Sequence, residues 1–206
     1  MGVIRKHGFK IAVLTLCAAM GIYLFIMNME PKRTLPLNQP APAFELTNLD
    51  GKQVSLESTN GKARIVYFYF ANCPDVCPPT TYLLSQVQDK LEEDGSLGKE
   101  AEILSITFDP ERDTPEAVRK FADRLDVDTT KGWEFLRPAT EDASMKLARD
   151  FGVSVIKDEA SAGYTHMNVI TLVDKRGQIR KWINASAKEE LTVDAIMDDF
   201  NIILQE

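Results

Sequence analysis

Apolar and polar positions follow two rhythms along this chain, and the places where the rhythm changes mark out its elements. Ile11 to Met27 follows neither: it is 17 residues without a charge, close to the roughly 20 that cross a bilayer as a helix. Thr34 to Pro42 (TLPLNQPAP) is rich in proline and polar residues and reads as an extended spacer. From Ala43 the pattern becomes that of a folded domain. Phe44-Glu45-Leu46-Thr47 and Gln53-Val54-Ser55-Leu56 alternate around Asp50-Gly51, a hairpin signal. Ile65 to Ala71 (IVYFYFA) is a near-continuous apolar run, rich in β-branched and aromatic residues, as expected of a central strand buried on both faces.

The rhythm then lengthens. Pro78-Pro79 followed by TTYLLSQVQDKLEEDG has proline in the first turn, Leu83, Leu84, Val87 and Leu91 on one face and Gly95 as a stop, so it predicts a helix that places Cys77 at its N-terminus. Ile103 to Phe108 is a second buried strand, and Thr114-Pro115-Glu116 opens a helix running to about Leu125. A short helix is expected over Asp142–Asp150, a polar loop over Ser154–Thr165, and strands over Val169–Val173 and Ile179–Ile183 around a Lys175-Arg176-Gly177 turn. A helix over Lys188–Leu204 ends the chain. Strands alternating with helices, with a late hairpin, imply an α/β domain with a mixed sheet covered on both faces.

Charge gives the two ends of the chain different surroundings. Arg5, Lys6 and Lys10 precede the apolar run and Lys32 and Arg33 follow it, a modest bias toward a cytoplasmic N-terminus with the domain outside. A cleaved signal peptide would need a small-residue site, which Met27-Asn28-Met29-Glu30 does not offer. A lipoprotein would carry its acyl chain on Cys17, but Leu16 is too large for the residue before it. The expected layout is a tail and uncleaved anchor over 1–33, a linker over 34–42 and a domain over 43–206. Residues 1–33 carry five Lys/Arg against one Glu, so the remainder bears −11 where the whole chain bears −7. Such a surface repels nucleic acid and anionic headgroups.

The exported part holds two cysteines, Cys73 and Cys77. A disulfide across so short a loop would be a poor staple for a large domain, since loop-closure stabilisation grows with loop length. Their position at a strand-to-helix junction favours the thiolate, which is both the nucleophile and the metal-binding form. Soft thiolates select Cu(I), zinc or iron–sulfur centres, and one added imidazole suits Cu(II) as well. The exported part has a single histidine, His166. On the sequence alone it is more readily a hydrogen-bonded loop residue than a ligand.

Phe68-Tyr69-Phe70-Ala71-Asn72-Cys73-Pro74-Asp75-Val76-Cys77-Pro78, Thr107-Phe108-Asp109-Pro110-Glu111-Arg112-Asp113-Thr114-Pro115 and the late His166 together resemble the Sco/SenC family over about residues 35–203. That resemblance implies a membrane-tethered thioredoxin-like protein that binds copper and assists assembly of the binuclear copper centre of cytochrome c oxidase. It implies thiolate ligands from Cys73 and Cys77, which pair as a disulfide without metal, and an imidazole ligand from His166. The implied partners are the copper-accepting oxidase subunit and another copper chaperone or a thiol reductant. Asp109 matches an acidic position near the family's metal site, and reads equally as a turn residue before Pro110. Asp113 reads as part of the cap of the next helix and Asp75 as solvated.

Three departures from related patterns matter. Thioredoxins proper have Cys-x-x-Cys and a cis-proline before the late strand, where this chain has Cys-x-x-x-Cys and Asn168. Many Sco relatives have Asp before the late histidine, where this chain has Thr165. Pro42-Ala43-Phe44 with Leu49-Asp50-Gly51 has a peroxiredoxin flavour, but two cysteines replace the single peroxidatic one. The competing function is an extracytoplasmic thiol-disulfide oxidoreductase, in which Cys73 and Cys77 are redox-active and His166 is dispensable.

Overall fold

Residues 2–27, 33–158, 163–187 and 191–206 are described in the computed structural model of the chain. Two compact units are present, one up to Thr34 and one from Leu35 to Glu206. The first is a helix, α1 (Gly2–Met27). Its His7–Met27 stretch of 21 residues is apolar and has no buried side of its own; at 1.5 Å per residue it measures about 31 Å, the thickness of a hydrocarbon core.

The second unit is built on one eight-stranded sheet. Its strands are β1 (Gln39–Pro40), β2 (Glu45–Asn48), β3 (Gln53–Ser55), β4 (Ala63–Tyr69), β5 (Ala101–Thr107), β6 (Trp133–Arg137), β9 (Val169–Val173) and β10 (Gln178–Asn184), in the order β1-β10-β9-β4-β5-β6-β2-β3. The helices are α2 (Cys77–Glu93), α3 (Pro115–Asp123), α4 (Glu141–Asp150) and α5 (Val193–Leu204). β4, β5 and β6 are parallel, and β9 and β10 return antiparallel. β7 (Val155–Asp158) and β8 (Gly163–His166) form a separate two-stranded hairpin.

Each residue of β4, β5 and β9 is buried, as their predominantly apolar sequences lead one to expect of strands covered on both faces. Successive β4 side chains reach opposite faces: Tyr69 stacks on Phe121 of α3 at 5.5 Å, while Phe68 meets Phe151 at the end of α4 at 5.6 Å. Helices therefore cover both faces, and the thioredoxin-like mixed sheet expected from the sequence is the observed fold. Because β4 is central and parallel to β5, its C-terminal end opens into the loop that carries the cysteines. Ligands of open α/β sheets bind at that edge.

At the other end of the sheet two buried arginines hold the chain together. Arg64 donates to Thr59, Asn60 and the carbonyls of Leu56 and Asp174. Arg180 pairs with Asp174 and Glu206 and donates to the carbonyls of Leu35 and Pro36, tying both ends of the domain to β10. Gln39–Pro40, inside the stretch read as spacer, pairs with Ile179 and Gln178.

Several expectations need correction. The stretch read as a polar loop over Ser154–Thr165 carries strand at Val155–Asp158 and again from Gly163, with Val155 buried opposite His166, Lys157 half-buried and Ile156 and Asp158 exposed; residues 159–162 lie outside the described residues. β6 went unrecognised because Trp133-Glu134-Phe135-Leu136-Arg137 mixes charge into a short strand; its charged residues are the half-buried ones. The last helix starts at Val193, capped by the Thr192 hydroxyl accepting from the Ala195 amide. Residues 188–190, where the sequence reading began it, lie outside the described residues. Asp113 caps nothing, since Thr114 caps α3 by accepting from Ala117; its own role belongs to the cysteine loop.

Candidate metal centre

The site grows from the last residues of β4. After Tyr69 the chain turns, with the Cys73 amide donating to the Phe70 carbonyl at 3.2 Å. The turn is pinned from below by Asp113, which is 1% exposed and accepts from the Ala71 amide at 3.1–3.2 Å and from the Thr107 hydroxyl. α2 then begins at Cys77. Pro78 and Pro79 have no N–H, and Val76 offers no side-chain cap. The Cys77 amide instead points at the Cys73 sulfur, 3.4 Å away. The positive end of α2 is thus focused on one sulfur.

Burial of Asp113 pushes its carboxyl up to about 6, while hydrogen bonds from Thr107 and the Ala71 amide pull it down. A folded-state value above the unfolded one means the native state binds this proton more tightly. The stability it lends is present below about pH 4 and is lost as pH rises through about 6, on the order of 3 kcal/mol. Asp113→Asn should remove that decline. The difference in unfolding free energy between wild type and variant, measured by denaturant titration at a series of pH values, should therefore slope over this window; a flat difference would contradict it.

His166 arrives from the opposite side on β8. Its register is set by pairing with Val155, and the hairpin is fastened by the Met167 amide donating to the Ser154 carbonyl and by Lys157 bonding Glu141 of α4. The imidazole lies against Phe108 at 4.9 Å and Phe70 at 6.1 Å, and Tyr164 packs on both of those rings. His166 Nδ1 sits 3.0 Å from the Met167 carbonyl. A carbonyl only accepts, so Nδ1 carries the proton and the Nε2 lone pair is left free. Nε2 is 3.6 Å from the Cys77 sulfur.

Cys73, Cys77 and His166 are thereby brought together, with one candidate ligand atom from each within 4.8 Å of the others. Both cysteines are free thiols and buried. The Cys77 thiol, hydrogen-bonded to Cys73, holds the Cys73 sulfur well below the usual thiol range, with further help from the amides of Asp75 and Cys77, against the opposing effect of burial. Cys77 is pushed up for the complementary reasons: its proton is held by Cys73, it is buried, and a second negative charge would adjoin the first. The pair accommodates one negative charge readily and the second only beside a cation.

Asp109 lies outside this cluster. Its carboxylate is committed to Arg112, through an ion pair and the backbone amide at 3.4 Å, and its own amide donates to Thr107. The parts played by five further residues escaped sequence reasoning. Tyr67 donates to Asn168 at 3.0 Å, and Asn168 donates to Thr80 at 3.0 Å, giving a polar floor beneath Cys77. Tyr164 and Phe70 wall the imidazole. The available signals were faint: hydroxyl-bearing tyrosines, Tyr67 and Tyr69, in a buried strand, and a Gly-Tyr pair shortly before the histidine.

The SCO1/SenC family profile matches residues 33–200. The chain belongs to the SCO1/SenC family. Among its relatives is the SCO1 protein homolog of Bacillus subtilis, 32% identical over 165 residues, which span 80% of this chain and 82% of that protein. Among solved structures, BsSco, a member of the Sco family of cytochrome c oxidase assembly proteins with an identified disulfide switch, matches at TM-score 0.72 and 29% identity, covering 85% of this chain and 99% of its own. Arabidopsis thaliana ScoI, solved with copper bound, matches at TM-score 0.66 and 27% identity, covering 81% of this chain and 99% of its own.

Proposed function

We propose that this SCO1/SenC chain takes up copper at Cys73, Cys77 and His166 and passes it to the copper-accepting subunit of cytochrome c oxidase. The observation that carries the reading is the convergence within 4.8 Å of two thiols from one loop and an imidazole 89 residues further along the chain. Two soft sulfurs and one nitrogen suit copper in either common oxidation state. Copper is the cargo, and the chain's own groups supply the conditions for holding it. Cys73 offers a thiolate at neutral pH, and Nδ1–H of His166 is tied to Met167 so that Nε2 faces the sulfurs. A soft cation between the sulfurs relieves the repulsion that otherwise keeps Cys77 protonated. The copper-bound Arabidopsis relative and the oxidase-assembly role of BsSco support the same cargo and destination.

The rest of the chain is read to match. α1 anchors the protein in the cell membrane, with residues 1–33 as tail and single-pass span, and the domain is extracytoplasmic; the stretch 34–42, read from the sequence as a linker, enters that domain by pairing with β10 through Gln39–Pro40. Asp109 acts by holding Arg112 beside Tyr164, and so steadies the aromatic wall around His166 rather than touching copper. The rival, a thiol-disulfide oxidoreductase, needs the cysteines and not the imidazole. In cells deleted for this chain, cytochrome c oxidase activity should fall, wild type should restore it and His166→Ala should not. Full rescue by His166→Ala, with none by Cys73→Ser, would transfer the assignment to the oxidoreductase.

A further inference from the structure

Beside the cysteines lies a groove of about 350 Å³ that the copper chemistry leaves unused. Val76, Pro79 and Leu83 form one wall and Leu191 helps form the facing one, with Asn168 at the floor and Asp75 at the rim. Val76, Leu83 and Leu191 are only partly buried against the core. The groove adjoins the loop of the metal centre, since Asp75 and Val76 lie between the two cysteines and Asn168 is two residues past His166, while Cys73 itself lines a neighbouring cavity with Ala71, Asn72 and Pro78. Access to the sulfurs is narrow: Cys73 is 8% exposed and Cys77 is fully buried. A folded surface cannot reach them, whereas one side chain on an extended segment can.

We infer that this groove seats an extended segment of the copper acceptor, with apolar side chains in the groove, cationic residues near Asp75 and receiving cysteines over the metal centre. This rests on the copper-delivery reading. The two ends of this unit are held elsewhere: Arg180, near the start of β10, binds Leu35, Pro36 and Glu206, whereas the groove lies past the other end of that strand. A second copy is disfavoured by the −11 charge of the part beyond residue 33, which repels itself and attracts a basic segment. Asp75 is exposed and has no ion pair among the described residues, leaving a carboxylate for such a cation. Transfer is ligand exchange without change of oxidation state: incoming thiolates replace the Cys73 and Cys77 sulfurs on Cu(I), and the protons of the incoming thiols pass to the sulfurs left behind or to solvent.

The test uses the full chain in detergent micelles, loaded with Cu(I) under anaerobic conditions. The acceptor is a synthetic peptide with two cysteines three residues apart among leucines and lysines. A small water-soluble Cu(I) chelator serves as an acceptor that needs no groove. Leu83→Glu and Leu191→Glu, on opposite walls, should each slow transfer to the peptide about tenfold, as expected when a docking anchor is lost. Both should retain copper affinity, chelator transfer and the wild-type circular dichroism. Two walls keep the test decisive if one variant misfolds. Transfer to the peptide at the wild-type rate in the folded variants would overturn the groove while leaving copper binding intact. Failure of the wild type to hold Cu(I) at all would overturn the reading beneath it, and the groove with it.

Discussion

Serine at both 73 and 77 should abolish stoichiometric copper retention while leaving the fold in place. Each replacement exchanges a soft sulfur for a hard, protonated hydroxyl of similar size, so packing around the buried pair changes little while two of the three donors disappear. If the binding free energy of a thiolate-rich site is shared among its donors, each contributes about 3–5 kcal/mol, or roughly 10²–10⁴ in affinity. Either single variant should therefore bind copper far more weakly than wild type. Copper bound per chain after gel filtration, beside the circular dichroism of each variant, checks this. Near-stoichiometric copper on the folded double variant would mean that the metal sits elsewhere.

Arg180→Ala should be the most destabilising single substitution away from the site. The side chain is 4% exposed, beside Asp174 at 3%, and its guanidinium serves Asp174, Glu206 and the carbonyls of Leu35 and Pro36 together. Truncation leaves Asp174 as a buried carboxylate without its cation and releases the segment entering the domain. Removing one partner of a buried pair costs about 3–5 kcal/mol, a large fraction of the 5–15 kcal/mol typical of a domain. Lysine should recover only part of the loss, because an ammonium cannot reproduce the guanidinium fork. The midpoint of urea denaturation reads the effect, and a shift within error of wild type would remove Arg180 from its place as the domain's latch.

The sequence made most of the sheet legible because its central strands are buried on both faces. β4, β5 and β9 are buried along their whole length, and their mostly apolar runs are broken by few polar residues, among them Arg64, Glu102, Ser105 and Thr171. Prolines at the start of α2 and α3 and Gly95, at φ 74, marked helix ends by backbone constraint alone. Strands with one open face were harder. β6 and the β7–β8 hairpin include half-buried Glu134, Arg137 and Lys157 and exposed Asp158, and a short strand with charge in it resembles a loop. That difficulty reached the site directly: the cysteines sit on elements the pattern specifies, whereas His166 sits on the hairpin it did not. The residues that orient the donors were out of reach for another reason. Asp113 under Ala71, the Tyr67–Asn168–Thr80 chain and the Met167 carbonyl behind Nδ1 are contacts between separated or differently folded segments, and no local periodicity encodes them.

The central claim is that Cys73, Cys77 and His166 act together on one copper. An anaerobic titration of the reduced chain with Cu(I) and with Cu(II), following stoichiometry and thiolate-to-copper charge-transfer absorption beside His166→Ala, tests it most directly. One tightly held copper, with a charge-transfer band lost or shifted in His166→Ala, is the predicted result. No tight binding, or binding and spectra indifferent to His166, would contradict it.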